Sequence, residues 1–327
     1  MLTCDICPRE CLIAEGKTGF CGTRTCRNGQ IVPLYYGQCT GLAVDPIEKK
    51  PLYHFYPGSK VLSLGTIGCN FACRFCQNWT TAQSCDATLL RQRATPEEIA
   101  RFATGSTALK SVAFTYNEPI TWAEYAVDAA ECCRKNGIKT VAVSNGYIGG
   151  KQRERFFNAM DAANIDLKSF SEHFYRKQCG ASIEPVLKTL KYLAKKPDFH
   201  LEMTTLLIPS LNDSPQEIGA LTQWIAEELG CEIPLHFSAY FPAGKEPPVP
   251  VCTPPQTLFR AREAARNAGL KYVYTGNIRD AAGQTTYCPQ CRQAVIERDG
   301  YRILEMQIDE DGCCKFCGQT IAGQFSY

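Results

Sequence analysis

Val61-Leu62-Ser63-Leu64-Gly65 and, just beyond it, Cys69-Asn70-Phe71-Ala72-Cys73-Arg74-Phe75-Cys76 decide how the rest of the chain is read. The first is a short apolar run of strand type, the second a CxxxCxxC triplet. Three thiolates can hold three irons of a cubane cluster and leave the fourth iron open to a ligand, whereas a fully ligated cluster only passes electrons. Taken alone, the triplet also fits part of a zinc site, so its surroundings carry the decision.

Working outward, five more β-branched runs follow, Ser111-Tyr116, Lys139-Val143, Asn164-Leu167, His200-Ile208 and Pro234-Ala239, with Lys271-Thr275 a candidate seventh. Amphipathic stretches separate them, the rhythm of βαβ units on a parallel sheet. Thr95-Pro96-Glu97-Glu98 and Ser214-Pro215-Gln216-Glu217 each combine an N-cap, a Pro at the first helical position and an acid at the third, and Asn136-Gly137 and Ala268-Gly269 read as helix stops. Six strands are too few for a closed eight-stranded barrel. The expected fold is therefore α/β, a partial (β/α)6 TIM-like barrel over residues 61–279, preceded by a Cys-rich extension (1–60) and followed by a small zinc-ribbon-like module (280–327).

The 327 residues carry 20 cysteines, and no basic-then-apolar leader opens the chain, so the cysteines read as metal ligands in a cytoplasmic protein and not as disulfides. Lys+Arg 35 against Asp+Glu 33 leaves a net +2 with no run of like charge, which argues against a nucleic-acid or membrane-surface partner. Cys288-x2-Cys291 and Cys314-x2-Cys317 are paired knuckles suited to tetrahedral zinc, with a rubredoxin-like iron or an iron–sulfur cluster as alternatives, and Cys313 is near enough to shift the pair. Cys4, Cys7, Cys11 and Cys21 supply four more thiolates, with Cys26 to spare, and fit zinc or an auxiliary iron–sulfur cluster. Cys132, Cys133, Cys179, Cys231 and Cys252 are scattered and read as small buried apolar side chains.

Polar motifs follow successive strand-like runs: Tyr116-Asn117-Glu118-Pro119, Ser144-Asn145-Gly146 and Asp166-Leu167-Lys168. In a parallel barrel the C-terminal strand ends share one mouth, so these groups are expected to meet. With Asp45-Pro46-Ile47-Glu48-Lys49-Lys50-Pro51-Leu52-Tyr53-His54-Phe55, Pro57-Gly58-Ser59, Gly68-Cys69-Asn70-Phe71 and Cys76-Gln77-Asn78, the chain resembles over its length the radical S-adenosylmethionine (SAM) member of the AmmeMemoRadiSam system, a relative of pyruvate formate-lyase activating enzymes.

That resemblance implies a [4Fe-4S] cluster on Cys69, Cys73 and Cys76 whose fourth iron is chelated by SAM. It implies that Phe75 flanks the adenine, that Asn117 and Glu118, in the place of a Gly-Gly-Glu-Pro motif, meet the ammonium, that Ser144 contacts the methionine part, and that Asp166 and Lys168 bind the ribose hydroxyls and the carboxylate. An ammonium wants a carboxylate and a carboxylate wants a lysine, so each pairing stands on its own chemistry. Lys168 alone also reads as a Schiff-base lysine, which Asp166 on the same strand face would oppose by keeping it charged. The implied reaction uses an external one-electron reductant to cleave SAM to methionine and a 5′-deoxyadenosyl radical, which abstracts hydrogen from a glycyl residue of a protein partner. A small molecule, or another protein linked to the companion proteins of the system, is the alternative substrate; a structural zinc-binding interaction protein is the alternative of a different class. Thr204, Thr205 and His236 are candidates for the substrate pocket.

Overall fold

The computed structural model describes residues 1–244 and 247–325. Its main sheet has eight strands: β1 Gly41–Pro46, β2 Lys60–Gly65, β3 Leu109–Phe114, β4 Lys139–Ser144, β5 Ala162–Asp166, β6 His200–Leu207, β7 Leu235–Ala239 and β8 Val273–Gly276. They lie side by side in chain order, β2 to β8 all parallel. Right-handed crossovers between strands placed in sequence put every connecting helix on the same face, so the other face becomes the interior of an incomplete barrel. Both faces of the strands are covered: all eight residues of β6 are buried, the polar His200, Glu202, Thr204 and Thr205 included.

The runs read from the sequence fall on these strands, with the seventh realised as β8. The third differs at its end. Thr115 still donates to the Leu64 carbonyl (2.9 Å), but Tyr116 turns the chain with φ +71°, so the last two residues of the run leave the strand for the mouth. The edge strand β1 pairs antiparallel with β2 from Gly41↔Gly65 to Pro46↔Lys60. It lies inside the stretch 1–60 expected as an extension, so the sheet begins some twenty residues earlier than the apolar pattern suggests; its residues are only half-buried and give little apolar signal.

Six helices fill the crossovers: α1 Pro96–Thr104, α2 Ala123–Lys135, α3 Gly150–Asn158, α4 Glu184–Ala194, α5 Pro215–Glu228 and α6 Pro255–Asn267. At α1 the Thr95 hydroxyl accepts from Glu98 N (3.2 Å) while Glu98 accepts from Thr95 N (2.8 Å), a complete capping box. Ile99, Ala100 and Ala103 of α1 turn inward, and burying the Ile99 side chain contributes about 2 kcal/mol. Ser214 caps α5, but Glu217 does not reach back to it. Its carboxylate accepts instead from Ser169 Oγ and from Phe170 N (3.0 Å), pinning the loop just past Lys168.

The amino-terminal residues form a hairpin, Arg24–Arg27 against Gln30–Pro33, turned by Asn28 and Gly29 with φ of +52° and +70°. A bidentate pair from the buried Arg24 to Glu124 of α2 (2.8 and 2.7 Å) docks it on the barrel. After β8 comes an antiparallel three-stranded sheet of Thr286–Tyr287, Ala294–Asp299 and Arg302–Met306. Arg298 is fully enclosed there and donates to the carbonyls of Gln284 (3.0 Å) and Tyr53 (2.8 Å) and to the Thr286 hydroxyl (2.9 Å).

Candidate active site

The triplet leaves β2 through a loop clamped on two sides. Gly65 must be glycine, since a Cβ there would lie 2.2 Å from the Thr115 carbonyl oxygen. Asn117 spends its whole amide on the loop: Oδ1 accepts from Thr66 N (2.9 Å) and Nδ2 donates to the carbonyls of Ile67 and Gly68 (3.0 Å each). From the other side Ala72 N and Arg74 N donate to the carbonyls of Cys179 and Gln178 (2.9 Å each). The Cys69 sulfur accepts from Phe71 N (3.3 Å) and stands 3.8 Å from Asn145 Nδ2.

Buried thiols this close resist ionising. The Cys179 thiol and burial hold Cys73 well above the ordinary thiol range, burial and the nearby Glu118 do the same for Cys69, and burial pushes Cys76 up to about 11. A bound metal relieves that penalty by replacing the protons.

Around the triplet lies a cavity of about 410 Å³. Cys69, Cys73, Phe75, Cys76, Asn117, Glu118, Ser144, Asp166 and Lys168 all line it, drawn from the mouth ends of β2 to β5. Glu118 is buried and accepts from Ser144 Oγ (2.7 Å), Asn145 N (2.8 Å) and Ile120 N (3.1 Å). Burial pushes its carboxyl up to about 7 against the pull of those donors. Three of the four lone-pair positions of a carboxylate are thereby used, leaving one for a ligand.

Lys168 and Asp166 form an ion pair of 2.8 Å, standing on the same side of the strand as i and i+2. Burial works against the lysine's charge, but Asp166 outweighs it and raises its pKa, so the amine stays protonated and is no nucleophile for a Schiff base. Phe75 is buried against Phe174, with ring centroids 5.6 Å apart. Thr204 lines the cavity with a buried hydroxyl that has no partner, which fits a polar group bound there.

Three sequence expectations change. Asn117 commits both amide atoms to the 66–68 loop, which leaves a ligand only the second lone pair of Oδ1 and the backbone. His236 is not at the mouth: with His200 it brackets the fully buried Glu202 (2.6 and 2.9 Å) near the opposite strand ends. Thr205 donates to the Leu167 carbonyl (2.9 Å) and does not line the cavity. Of the scattered cysteines, Cys133 and Cys179 are buried, but Cys252 is exposed and Cys179 lies against Cys73.

Among the cavity residues not read as site residues, two stand out. Asn145 also donates to Asn70 Oδ1 (2.8 Å) and braces the triplet; its place in the Ser144-Asn145-Gly146 turn was the available signal. Tyr301, from the turn of the carboxy-terminal sheet, reaches the cavity, and nothing local in its sequence announces that.

The flanking cysteines are arranged differently from each other. Cys288 and Cys317 stand 3.6 Å apart and Cys291 and Cys314 3.8 Å, and all four sulfurs lie within 4.8 Å of one another. Four thiolates on one ion at about 2.3 Å stand about 3.8 Å apart, so this quartet has the spacing of a closed tetrahedral site. Cys313 turns away toward Thr320. Cys4, Cys7, Cys11 and Cys21 line one small cavity without closing to that spacing.

Among known proteins, the radical SAM superfamily profile matches residues 64–221. An uncharacterized protein of Methanocaldococcus jannaschii is 43% identical over 319 residues, spanning 97% of this chain and 94% of that one. Pyruvate formate-lyase 1-activating enzyme of Escherichia coli is 25% identical over 167 residues, which is 48% of this chain and 65% of the enzyme. The crystal structure of Streptococcus suis SuiB bound to S-adenosylmethionine shares the fold, with a TM-score of 0.53 over 71% of this chain and 53% of that one at 17% identity. No helix among the described residues is long and apolar enough to cross a membrane.

Proposed function

The chain belongs to the radical SAM superfamily and is related to glycyl-radical-enzyme activating enzymes, and from that premise we propose that its own site works on a glycyl residue of a protein partner. In this reading Cys69, Cys73 and Cys76 hold a [4Fe-4S] cluster with its fourth iron open to SAM. The bound pair supplies, on one-electron reduction by an external donor, methionine and a 5′-deoxyadenosyl radical able to take an unactivated hydrogen atom.

The chain's residues position and shield. Lys168 meets the SAM carboxylate and Asp166 the ribose diol, each already held by the other (2.8 Å). The remaining lone pair of Glu118 takes the ammonium, Ser144 stays beside the methionine part, and Phe75 flanks the adenine. Fixing both ends of the cofactor holds the sulfonium in one geometry, and the buried walls keep water from the radical. The observation that carries the reading is the convergence of three unpaired thiols with the Asp166–Lys168 pair and Glu118 on one cavity.

The carboxy-terminal quartet takes zinc in this account, and its tie to Tyr53 through Arg298 makes it a clasp over the barrel. We place the protein in the cytoplasm, where its thiols stay reduced. One observation favours a second substrate. The similarity to the E. coli activating enzyme covers 48% of this chain, whereas that to the Methanocaldococcus jannaschii protein covers 97%. That leaves room for a substrate other than a glycyl residue, and the second reading is the one the sequence resemblance implies, a protein or small molecule tied to companion proteins of the AmmeMemoRadiSam system.

The test is anaerobic reconstitution, then reductant and SAM, with 5′-deoxyadenosine measured. The nucleoside is expected from the intact chain and not after Cys69→Ala, Cys73→Ala and Cys76→Ala; an iron-loaded intact chain that makes none would overturn the proposal. A deuterated glycyl peptide of the partner that transfers no deuterium to the nucleoside would favour the second substrate.

A further inference from the structure

We propose that Cys4, Cys7, Cys11 and Cys21 hold a second iron–sulfur cluster, in electronic contact with the central one, and not a structural zinc ion. The four side chains line a single cavity, so they can serve one group. Zinc would draw them together as it suits the carboxy-terminal quartet, but among the described residues that quartet alone has its sulfurs all within 4.8 Å. In a cubane each thiolate binds a different iron, so the sulfurs stand farther apart than four sulfurs sharing one ion. Neither the amino-terminal set nor Cys69, Cys73 and Cys76 is drawn within that distance.

Charge agrees. Arg24 lines the same cavity, is 4% exposed and lies against the Cys4 thiol, while two of its nitrogens are spent on Glu124. A buried cation beside four thiols suits a tetrathiolate metal site, which is anionic with zinc or with a cluster, so the charge supports metal ligation here and the spacing chooses between the two.

Position gives the second site its use. Gly68 packs so tightly on the amino-terminal segment that a Cβ would lie 2.3 Å from the Cys21 carbonyl oxygen, and Gly68 directly precedes Cys69. Asn70, directly after Cys69, lines the amino-terminal cavity and gives its carbonyl to Arg9 Nε (2.6 Å). Both neighbours of Cys69 therefore touch the second site. Cys11 and Cys21 are partly exposed. An external low-potential one-electron donor loses one electron to the outer cluster, which passes it to the central one; no proton or group moves.

The test compares metal content and electron paramagnetic resonance after anaerobic reconstitution with iron and sulfide. The intact chain is expected to hold about eight irons, two cubanes' worth, and one zinc, and its reduced spectrum to show two mutually broadened signals. The central triple alanine variant should keep about half of the iron and one narrowed signal, and Cys7→Ala with Cys11→Ala the other half. About four irons with two zincs in the intact chain would overturn the inference, and so would a central variant devoid of iron. This stoichiometry needs no variant to fold. Iron that disappears with the central triplet but is untouched by Cys7→Ala and Cys11→Ala defeats this inference and leaves the proposed function standing.

Discussion

The central triplet and the carboxy-terminal quartet are built from the same ligand but lead to opposite chemistry. In the quartet the sulfurs close to 3.6 and 3.8 Å on short knuckles, and Cys314 N and Gly318 N donate to the carbonyls of Gln319 (2.9 Å) and Cys314 (2.8 Å). A metal there has every position filled by protein. The triplet stands open around a cavity whose other walls carry Glu118, Asp166 and Lys168. Thiolate count and spacing thus separate a site that stabilises from one that reacts.

The comparison breaks most visibly at the cysteines. Cys73→Ala is expected to cut SAM cleavage at least about a thousandfold, a barrier change of about 4 kcal/mol, while the zinc content stays unchanged; nucleoside assays and metal analysis on one preparation read both. The mirror experiment is Cys314→Ser. It should lose the metal proposed for the quartet and lower stability by about 4 kcal/mol, seen as an early melting step, with the central iron retained. A Cys314→Ser protein without iron would erase the distinction.

Smaller effects sharpen the open site. Lys168→Met leaves the half-buried Asp166 without its partner and removes a charged donor, so SAM should bind about tenfold to a hundredfold more weakly, measured by titration of the reconstituted protein.

Glu118 gives a pH signature. Its carboxyl is pushed up to about 7 by burial, above its value in the unfolded chain. The folded state therefore holds an extra proton between those two values, and the empty protein loses stability as pH rises through that window. SAM binding should move the opposite way, tightening by up to about tenfold per pH unit below pH 7, because the ammonium needs the ionised form. Glu118→Gln should flatten both trends; unchanged slopes would remove Glu118 from the ammonium site.

Much of this frame was legible in the sequence because a parallel sheet makes local signals long-ranged. Once the runs at Ser111, Lys139 and Asn164 are strands in order, the polar residues at their ends must share a mouth, and Glu118, Ser144, Asp166 and Lys168 do so. What register and packing decide was not legible. Asn117 looks like a ligand-binding amide until its three bonds to the 66–68 loop are seen. His236 alternates along β7 as a pocket residue would, but its partner Glu202 comes from the neighbouring strand near the far end of the sheet. Tyr301 enters the cavity from a hairpin more than two hundred residues beyond the triplet, a contact no local pattern encodes.

The most direct measurement of the central claim is the electron paramagnetic resonance of the reduced, reconstituted chain with SAM carrying ¹⁵N in its amino group. An open fourth iron predicts a spectrum that shifts on adding SAM and shows a hyperfine coupling that changes with the nitrogen isotope. A cluster signal indifferent to SAM, in a protein with its full iron, would contradict it.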